Sequence, residues 1–208
     1  MNGAPPQRSG VTLATRVTIV RIMGVPVFIL LLIYYILGLS QGEVHVTQRL
    51  LALGVFVAVA LTDALDGYLA RSRNEVTQLG RVLDPLADKA LLLSGLILLT
   101  RPNLPELVPH IPIWFTALVI SRDVVLVVGY LLIHHFAGHV DVHPRWTGKL
   151  ATVLQMLTII WVLLQTAAPH FLWLVGAAGF FTAVAGLQYI VDGVRQLEHA
   201  AHPRHPPP

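Results

Sequence analysis

Residues 63–88 read DALDGYLARSRNEVTQLGRVLDPLAD and connect two apolar segments of the chain. The stretch contains two pairs of aspartates, Asp63 with Asp66 and Asp84 with Asp88. The members of each pair are three or four positions apart, so each pair lies on one face of a helix. Because the segment between the pairs is short, the two helices are predicted to be antiparallel neighbours, with both pairs at the same depth.

The composition around this stretch is that of a membrane protein. The chain has 208 residues, of which 55% are hydrophobic and 12% are charged, whereas a soluble domain has about 25% charged residues. A membrane span needs ~20 mostly apolar residues, so the chain has room for about six spans and no second domain. No cysteine occurs in the sequence, which excludes disulfides and thiolate metal sites.

Six apolar segments predict an all-α integral membrane protein with six transmembrane helices. They cover residues 18–39, 49–71, 82–99, 113–134, 148–164 and 171–194. This arrangement leaves only Arg49 and Arg101, of the 14 Lys and Arg residues, on one side of the membrane, and most of the others on the opposite side. Basic loops remain in the cytoplasm, so both termini are predicted to be cytoplasmic. A single domain is expected over residues 1–197, and a disordered cytoplasmic tail over the Pro-rich residues 198–208.

The four aspartates need a compensating charge if they lie in the membrane. An ionised carboxylate at the centre of a span costs about 2.5–3.5 kcal/mol to insert, and neighbouring carboxylates repel each other. A divalent cation compensates them compactly, and all-oxygen ligation suits Mg²⁺, Mn²⁺ or Ca²⁺. Gly67 and Ala70 continue the face of Asp63 with almost no side chain, which leaves room for a bulky ligand. A structural polar network or a path for ion transport remains the alternative explanation.

The complete spacing of this stretch is D-x2-D-G-x2-A-R-x8-G-x3-D-x3-D. It resembles the signature of the CDP-alcohol phosphotransferases at all of its fixed positions, from Asp63 to Asp88. Weaker resemblance to the family extends over roughly residues 13–195. The positions that carry this weaker resemblance are Arg21 and Pro26 in the first span, residues 121–123 in the fourth and residues 148–155 in the fifth.

The resemblance implies a transferase of phospholipid biosynthesis that moves a phosphatidyl group from CDP-diacylglycerol to an acceptor alcohol and releases CMP. Asp63, Asp66 and Asp84 would ligate two divalent ions, Mg²⁺ or Mn²⁺. Asp88 would touch the second ion and act as the general base. The pocket for the CDP donor would be formed by Asp63, Gly67, Ala70, Arg71 and Gly80. The family further implies a homodimer among membrane lipids, without nucleic acid, in the inner membrane of a bacterium and with its active site facing the cytoplasm.

The sequence specifies the acceptor alcohol less closely than it specifies the donor. Arg122, Arg145 and Lys149, and to a smaller extent Arg21, are candidates for binding a phosphate of the acceptor or of a lipid head group. An internal ion pair with Asp123 is the alternative role for Arg122.

Two acceptors remain open within the family. We predict that the acceptor is glycerol 3-phosphate, as in phosphatidylglycerophosphate synthases. Phosphatidylglycerol, the acceptor of cardiolipin synthases, is favoured by Asp123, Leu150 and Ala151. Phosphatidylglycerophosphate synthases often have glutamate where this chain has Asp123, and a second lysine where it has Leu150 and Ala151. An inositol phosphate is a third case. A metal-binding or ion-conducting membrane protein without transferase activity is the alternative from a different class.

Overall fold

The computed structural model describes six α-helices. They are α1 Leu13–Ser40, α2 Val46–Arg73, α3 Gln78–Leu99, α4 Ile113–Ala137, α5 Trp146–Leu164 and α6 Phe171–Ala201. The described residues are 13–43, 45–73, 78–100, 107–137, 145–166 and 169–201, and no strand occurs among them. Their side chains are described over residues 23–43, 45–62, 87–100, 107–133, 135, 145–166 and 169–196. Each predicted span lies within one of these helices, so the all-α prediction is confirmed.

Four of the helices contain stretches that are long and apolar enough to cross a membrane. These stretches are Met23–Ser40, Ile113–Ile133, Trp146–Leu164 and Phe171–Gln196. In α2 the described side chains form a shorter apolar stretch, Val46–Thr62, and in α3 they begin only at Ala87. The part of the chain that the structure describes therefore has the character of an integral membrane protein.

Helix α6 is longer than its predicted span. It continues through residues 198–201, which were expected to belong to a disordered tail. No proline or glycine occurs between Gly193 and Pro203, so the sequence offers no break in the backbone hydrogen bonds before that proline. Helix α6 ends at Ala201, and residues 202–208 lie outside the described part of the chain.

The chain divides into two compact units, Met1–Ser94 and Gly95–Pro208. The first unit contains α1, α2 and most of α3, and the second contains the end of α3 with α4, α5 and α6. Both aspartate pairs belong to the first unit. The basic residues Arg122, Arg145 and Lys149 belong to the second.

In the first unit, α1 packs against α2. The ring centroids of Phe28 and Phe56 are 5.3 Å apart, and a Cβ on Gly24 would lie 2.5 Å from Cγ2 of Val59. Residue numbers rise on one helix and fall on the other between these contacts, so the two helices are antiparallel. The buried positions of α1 follow one helical face. They are Val25, Phe28, Leu32, Tyr35, Ile36 and Leu39.

In the second unit, α6 packs against α4. A Cβ on Gly179 would lie 2.9 Å from the Trp114 ring, and a Cβ on Gly186 would lie 3.3 Å from Cγ of Arg122. Residue numbers rise together along these contacts, so α4 and α6 are parallel. Consecutive membrane spans produce this relationship, because every second span runs in the same direction.

Helices α5 and α6 are antiparallel and are joined by hydrogen bonds between polar side chains. Thr147 Oγ1 donates to Gln188 Oε1 at 2.6 Å, and Gln155 Nε2 donates to Thr182 Oγ1 at 2.8 Å. Gln155 and Thr182 are both buried. Polar side chains that pair between helices in an apolar bundle satisfy each other, so these bonds fix the register of the two helices.

Candidate functional site

The two aspartate pairs lie near the connection between α2 and α3. At a rise of ~1.5 Å per residue, Asp66 of α2 and Asp84 of α3 are both about 10 Å along their helices from this connection. Asp63 and Asp88 are both about 15 Å from it by the same measure. The pairs therefore lie at matching distances from the connection, as a single shared site requires.

Asp88 is the predicted metal ligand whose side chain the structure describes. It is half-buried, and Leu91 and Leu92 are 1% and 3% exposed. These leucines follow Asp88 by three and four positions, which places all three residues on one helix face. The Asp88 carboxylate thus lies on the face that α3 buries inside the protein, away from the surrounding lipid.

The other residues predicted for the metal and donor sites are described by their backbone alone. They are Asp63, Asp66, Gly67, Ala70 and Arg71 in α2, Gly80 and Asp84 in α3, and Arg21 in α1. Among the described residues, no group of three or more His, Cys, Asp or Glu side chains could hold a metal ion. Three of the four predicted ligands lie outside that set. The donor chemistry fits a hard divalent cation, because all four candidates are carboxylates and the chain has no cysteine.

Arg122 of α4 reaches into contact with α5 and α6. Its side chain is 10% exposed, and its Nη1 donates to Oδ1 of Asp123 at 2.8 Å. Its guanidinium carbon is 5.7 Å from the ring centroid of Tyr189, and its Nη2 would lie 3.3 Å from a Cβ on Gly148. The ion pair with Asp123 is therefore present, and the same side chain also lies against α5 and α6.

The Nε of Arg122 is buried and has no hydrogen-bond partner among the described residues. Leaving a buried donor unpaired costs about 1–3 kcal/mol, and more when the group is charged. The ion pair with Asp123 therefore does not satisfy the whole guanidinium. The free donor has the chemistry to bind an anionic oxygen.

Arg145 and Lys149 lie at the start of α5. Arg145 forms a bidentate ion pair with Asp192 of α6, with Nε 2.9 Å from Oδ2 and Nη2 2.8 Å from Oδ1. Lys149 is exposed and lies in the first turn of α5, whereas Arg145 directly precedes the helix with an extended backbone. The structure thus brings Arg145 and Lys149 to the end of α5 that Arg122 contacts, whereas Arg21 belongs to the first unit.

Three contacts of this basic cluster were not predicted from the sequence. Asp192 carries a signal, because it is an acidic residue within the sixth predicted span, but its partner Arg145 is 47 positions away. Tyr189 and Gly186 carry no signal that separates them from ordinary residues of a membrane helix. Their role becomes visible only when α4 and α6 are seen to be parallel.

Comparison with known families matches the family described as CDP-alcohol phosphatidyltransferase over residues 11–186 of this chain. The matched region contains both aspartate pairs, Arg122, Arg145 and Lys149. It also contains Gly148 and Gly186, which lie against Arg122.

Three curated relatives are similar over most of their length. A probable phosphatidylglycerophosphate synthase of Mycobacterium tuberculosis is 31% identical over 188 residues, which are 89% of this chain and 83% of the relative. A CDP-diacylglycerol–glycerol-3-phosphate 3-phosphatidyltransferase of Bacillus subtilis is 34% identical over 85% of this chain and 92% of its own. A cardiolipin synthase (CMP-forming) of Streptomyces coelicolor is 32% identical over 91% of this chain and 85% of its own.

Proposed function

The chain belongs to the CDP-alcohol phosphatidyltransferase family, and on this premise we propose that it transfers the phosphatidyl group of CDP-diacylglycerol to glycerol 3-phosphate and releases CMP. The transferase class follows from the family, which replaces the alternative of an ion-conducting protein without transferase activity. The observation that supports an acceptor with a phosphate group is the nearly buried Arg122, whose Nε lacks a partner among the described residues.

We assign the donor to the stretch that joins α2 and α3. Asp63, Asp66, Asp84 and Asp88 would hold two divalent ions, Mg²⁺ or Mn²⁺. When bound, such ions neutralise the charge that grows on the leaving CMP. Gly67, Ala70 and Gly80 would leave room for the cytidine, with Asp63 and Arg71 beside the nucleotide.

Asp88 is the general base in this proposal. The acceptor hydroxyl oxygen attacks the phosphorus that carries the diacylglycerol, the bond from this phosphorus to the CMP oxygen breaks, and the hydroxyl proton passes to the Asp88 carboxylate. An alcohol is a weak nucleophile, so it needs a carboxylate within hydrogen-bond reach when it attacks. The half-buried position of Asp88 on the inner face of α3 suits this task.

The acceptor phosphate is assigned to the basic cluster of the second unit. Arg122, Arg145 and Lys149 carry three positive charges, and their neighbours Asp123 and Asp192 carry two negative charges, which leaves one net positive charge. Guanidinium groups bind phosphate oxygens through paired, charge-assisted hydrogen bonds. Glycerol 3-phosphate is the acceptor in the name of the Bacillus subtilis relative, and its phosphate supplies oxygen atoms for such hydrogen bonds. Arg21 stays a weaker candidate for a lipid phosphate.

Phosphatidylglycerol is the second candidate acceptor. It is supported by the likeness to the cardiolipin synthase of Streptomyces coelicolor. It is also supported by Asp123, Leu150 and Ala151, which differ from the residues common in phosphatidylglycerophosphate synthases. The phosphate of this lipid is a diester with a single negative charge, so it needs fewer positive charges from the basic cluster than a phosphate monoester does. The two acceptors can therefore be distinguished by how strongly turnover depends on Arg122 and Lys149.

We further propose that all six helices cross the membrane, with both termini in the cytoplasm and the donor site at the cytoplasmic face. The antiparallel pairs α1–α2 and α5–α6 and the parallel pair α4–α6 support this alternation, as does the one-sided distribution of basic residues. We also propose that the protein lies in a bacterial inner membrane and forms a homodimer of single-domain chains.

The proposed function is tested by measuring CMP release from the purified protein in detergent. CDP-diacylglycerol and Mg²⁺ are supplied with glycerol 3-phosphate, phosphatidylglycerol or inositol phosphate in separate reactions. We expect release with glycerol 3-phosphate alone, and none from an Asp88→Asn variant. Release with phosphatidylglycerol alone would make the second candidate correct, and release with none of the three would contradict the acceptor assignment.

A further inference from the structure

Two glycines on different helices border the Arg122 side chain. A Cβ on Gly148 of α5 would lie 3.3 Å from Nη2 of Arg122, and a Cβ on Gly186 of α6 would lie 3.3 Å from its Cγ. An alanine at either position would force its neighbour to give way by a few tenths of an ångström. We call the space between Gly148 and Gly186 the arginine slot.

Arg122 is held along its whole length within the arginine slot. Gly186 lies against the aliphatic stem, Gly148 lies beside Nη2, and Asp123 holds Nη1 at 2.8 Å. The Tyr189 ring, 5.7 Å from the guanidinium carbon, adds a cation–π contact on the α6 side. A side chain with four rotatable bonds is thus restricted to one position by three helices.

The Nε of Arg122 is one of three buried donors that have no partner among the described residues, and the other two, Nε and Nη1 of Arg49, belong to the first unit. Unpaired polar groups are costly in an apolar interior, so such a donor favours a hydrogen-bond partner. Arg122 is nine-tenths buried, yet its Nε has no partner among the described residues. The slot therefore holds the guanidinium in a fixed position while part of its hydrogen-bonding capacity stays open for an anionic oxygen.

We propose that Gly148 and Gly186 are positioning residues that set the affinity for the acceptor phosphate by holding Arg122 in the arginine slot. This inference rests on the proposed function, in which Arg122 binds that phosphate. A guanidinium that has shifted by a few tenths of an ångström still carries its charge, but it no longer meets the phosphate oxygens at the best distance and angle. The glycines then act on acceptor binding and leave the donor site unaffected.

Other glycines of α4 and α6 provide controls. A Cβ on Gly129 of α4 or Gly176 of α6 would meet nothing within 4 Å, so an alanine there tests only the change of residue type. Gly179 of α6 faces the Trp114 ring at 2.9 Å instead of Arg122. An alanine at this third position tests whether helix packing by itself alters acceptor binding.

The experiment compares KM and kcat of five alanine variants, at Gly129, Gly148, Gly176, Gly179 and Gly186, in the CMP-release assay. Charge-assisted hydrogen bonds weaken when their distance and angle depart from the optimum, so a shift of a few tenths of an ångström should raise the KM for glycerol 3-phosphate about three- to tenfold in Gly148→Ala and Gly186→Ala. The KM for CDP-diacylglycerol should stay within about twofold of the wild-type value. Gly129→Ala and Gly176→Ala should match the wild type, and Gly179→Ala should lower the melting temperature without a selective rise in the acceptor KM.

A coupling test separates positioning of Arg122 from a general structural role. In an Arg122→Lys background the slot holds no guanidinium, so adding Gly148→Ala or Gly186→Ala should raise the acceptor KM no further. If Arg122→Lys is too slow for kinetics, the dissociation constant of glycerol 3-phosphate is measured from its effect on the melting temperature in detergent. An unchanged acceptor KM in folded Gly148→Ala and Gly186→Ala, or equal effects in the two backgrounds, would overturn the proposal.

Failure of the proposed acceptor gives a different result from failure of the slot. A wild-type enzyme that uses only phosphatidylglycerol contradicts the acceptor assignment. A selective rise in the KM for phosphatidylglycerol in Gly148→Ala and Gly186→Ala would then still support the slot. An acceptor KM that is equal in all five variants, with glycerol 3-phosphate as the working acceptor, contradicts the slot alone.

Discussion

Asp88 lies half-buried on the inner face of α3, beside the buried Leu91 and Leu92. Replacing it by asparagine keeps the size of the side chain and removes its capacity to accept a proton. We expect Asp88→Asn to lower the rate of CMP release by about 10²–10⁴-fold, the range of a general base. The KM for CDP-diacylglycerol should change much less, because proton transfer belongs to the chemical step.

The control for this variant is Glu43→Gln, which also removes one negative charge. Glu43 follows α1, its side chain is 69% exposed, and it pairs with His45 at 3.4 Å. This exposed pair is expected to contribute little, so Glu43→Gln should keep wild-type turnover. Comparable activity of Asp88→Asn and the wild type would show that another group accepts the proton.

At the residue scale, the sequence offered an ion pair between the adjacent residues Arg122 and Asp123, and the structure contains it at 2.8 Å. The spacing of the aspartate pairs remains a prediction for one shared site. The Arg145–Asp192 pair spans 47 positions, and its geometry depends on the packing of α5 against α6. The sequence therefore suggested a phosphate-binding role for Arg145 without revealing the carboxylate that balances it.

Thr158 of α5 and Thr182 of α6 test what the polar contacts between helices contribute. Both are fully buried, and each donates to the carbonyl oxygen four residues earlier, at 2.8 Å and 2.7 Å. Thr182 alone also accepts a hydrogen bond from Gln155. A valine has nearly the same shape as threonine, so the two substitutions differ mainly in this interhelical bond.

We expect Thr182→Val to lower the free energy of unfolding by about 1–2 kcal/mol, because it leaves the buried Gln155 amide unpaired. Thr158→Val should cost less than about 0.5 kcal/mol, because it removes only a local bond within its own helix. Unfolding in mixed detergent micelles measures the difference. Adding Gln155→Leu to Thr182→Val should recover most of the loss, and equal losses for the two valine variants would contradict the argument.

Element-scale prediction succeeded because a span must be a long apolar helix to satisfy its backbone in lipid. All six predicted spans lie within observed helices. Their ends differ, since hydrophobicity marks only the apolar part of a helix. Helix α1 begins at Leu13 instead of residue 18, and α6 ends at Ala201 instead of residue 194, because the polar flanking residues continue the same backbone hydrogen bonds.

At the scale of the whole molecule, activity should depend on a divalent cation. Asp63, Asp66, Asp84 and Asp88 would repel each other without a compensating charge, and the donor diphosphate would add more negative charge. We expect EDTA to abolish CMP release, and Mg²⁺ or Mn²⁺ in excess of the chelator to restore it. The melting temperature in detergent should also rise when Mg²⁺ is added, since the ion binds only the folded protein. Full activity in EDTA would contradict the proposed donor site.

The six-span topology can be tested helix by helix, because the chain has no cysteine and a single introduced cysteine is then the only thiol. Glu43→Cys, Asn74→Cys and Asn103→Cys lie after α1, α2 and α3, so consecutive positions are separated by one helix each. Arg71, Arg73 and Arg81 flank the connection after α2, which should therefore stay in the cytoplasm. A membrane-impermeant maleimide should label Glu43→Cys and Asn103→Cys in intact cells, and Asn74→Cys only after permeabilisation. Labelling of Asn74→Cys from the same side as Glu43→Cys would mean that α2 does not cross the membrane. Labelling of Asn74→Cys and Asn103→Cys from the same side would mean that α3 does not cross it.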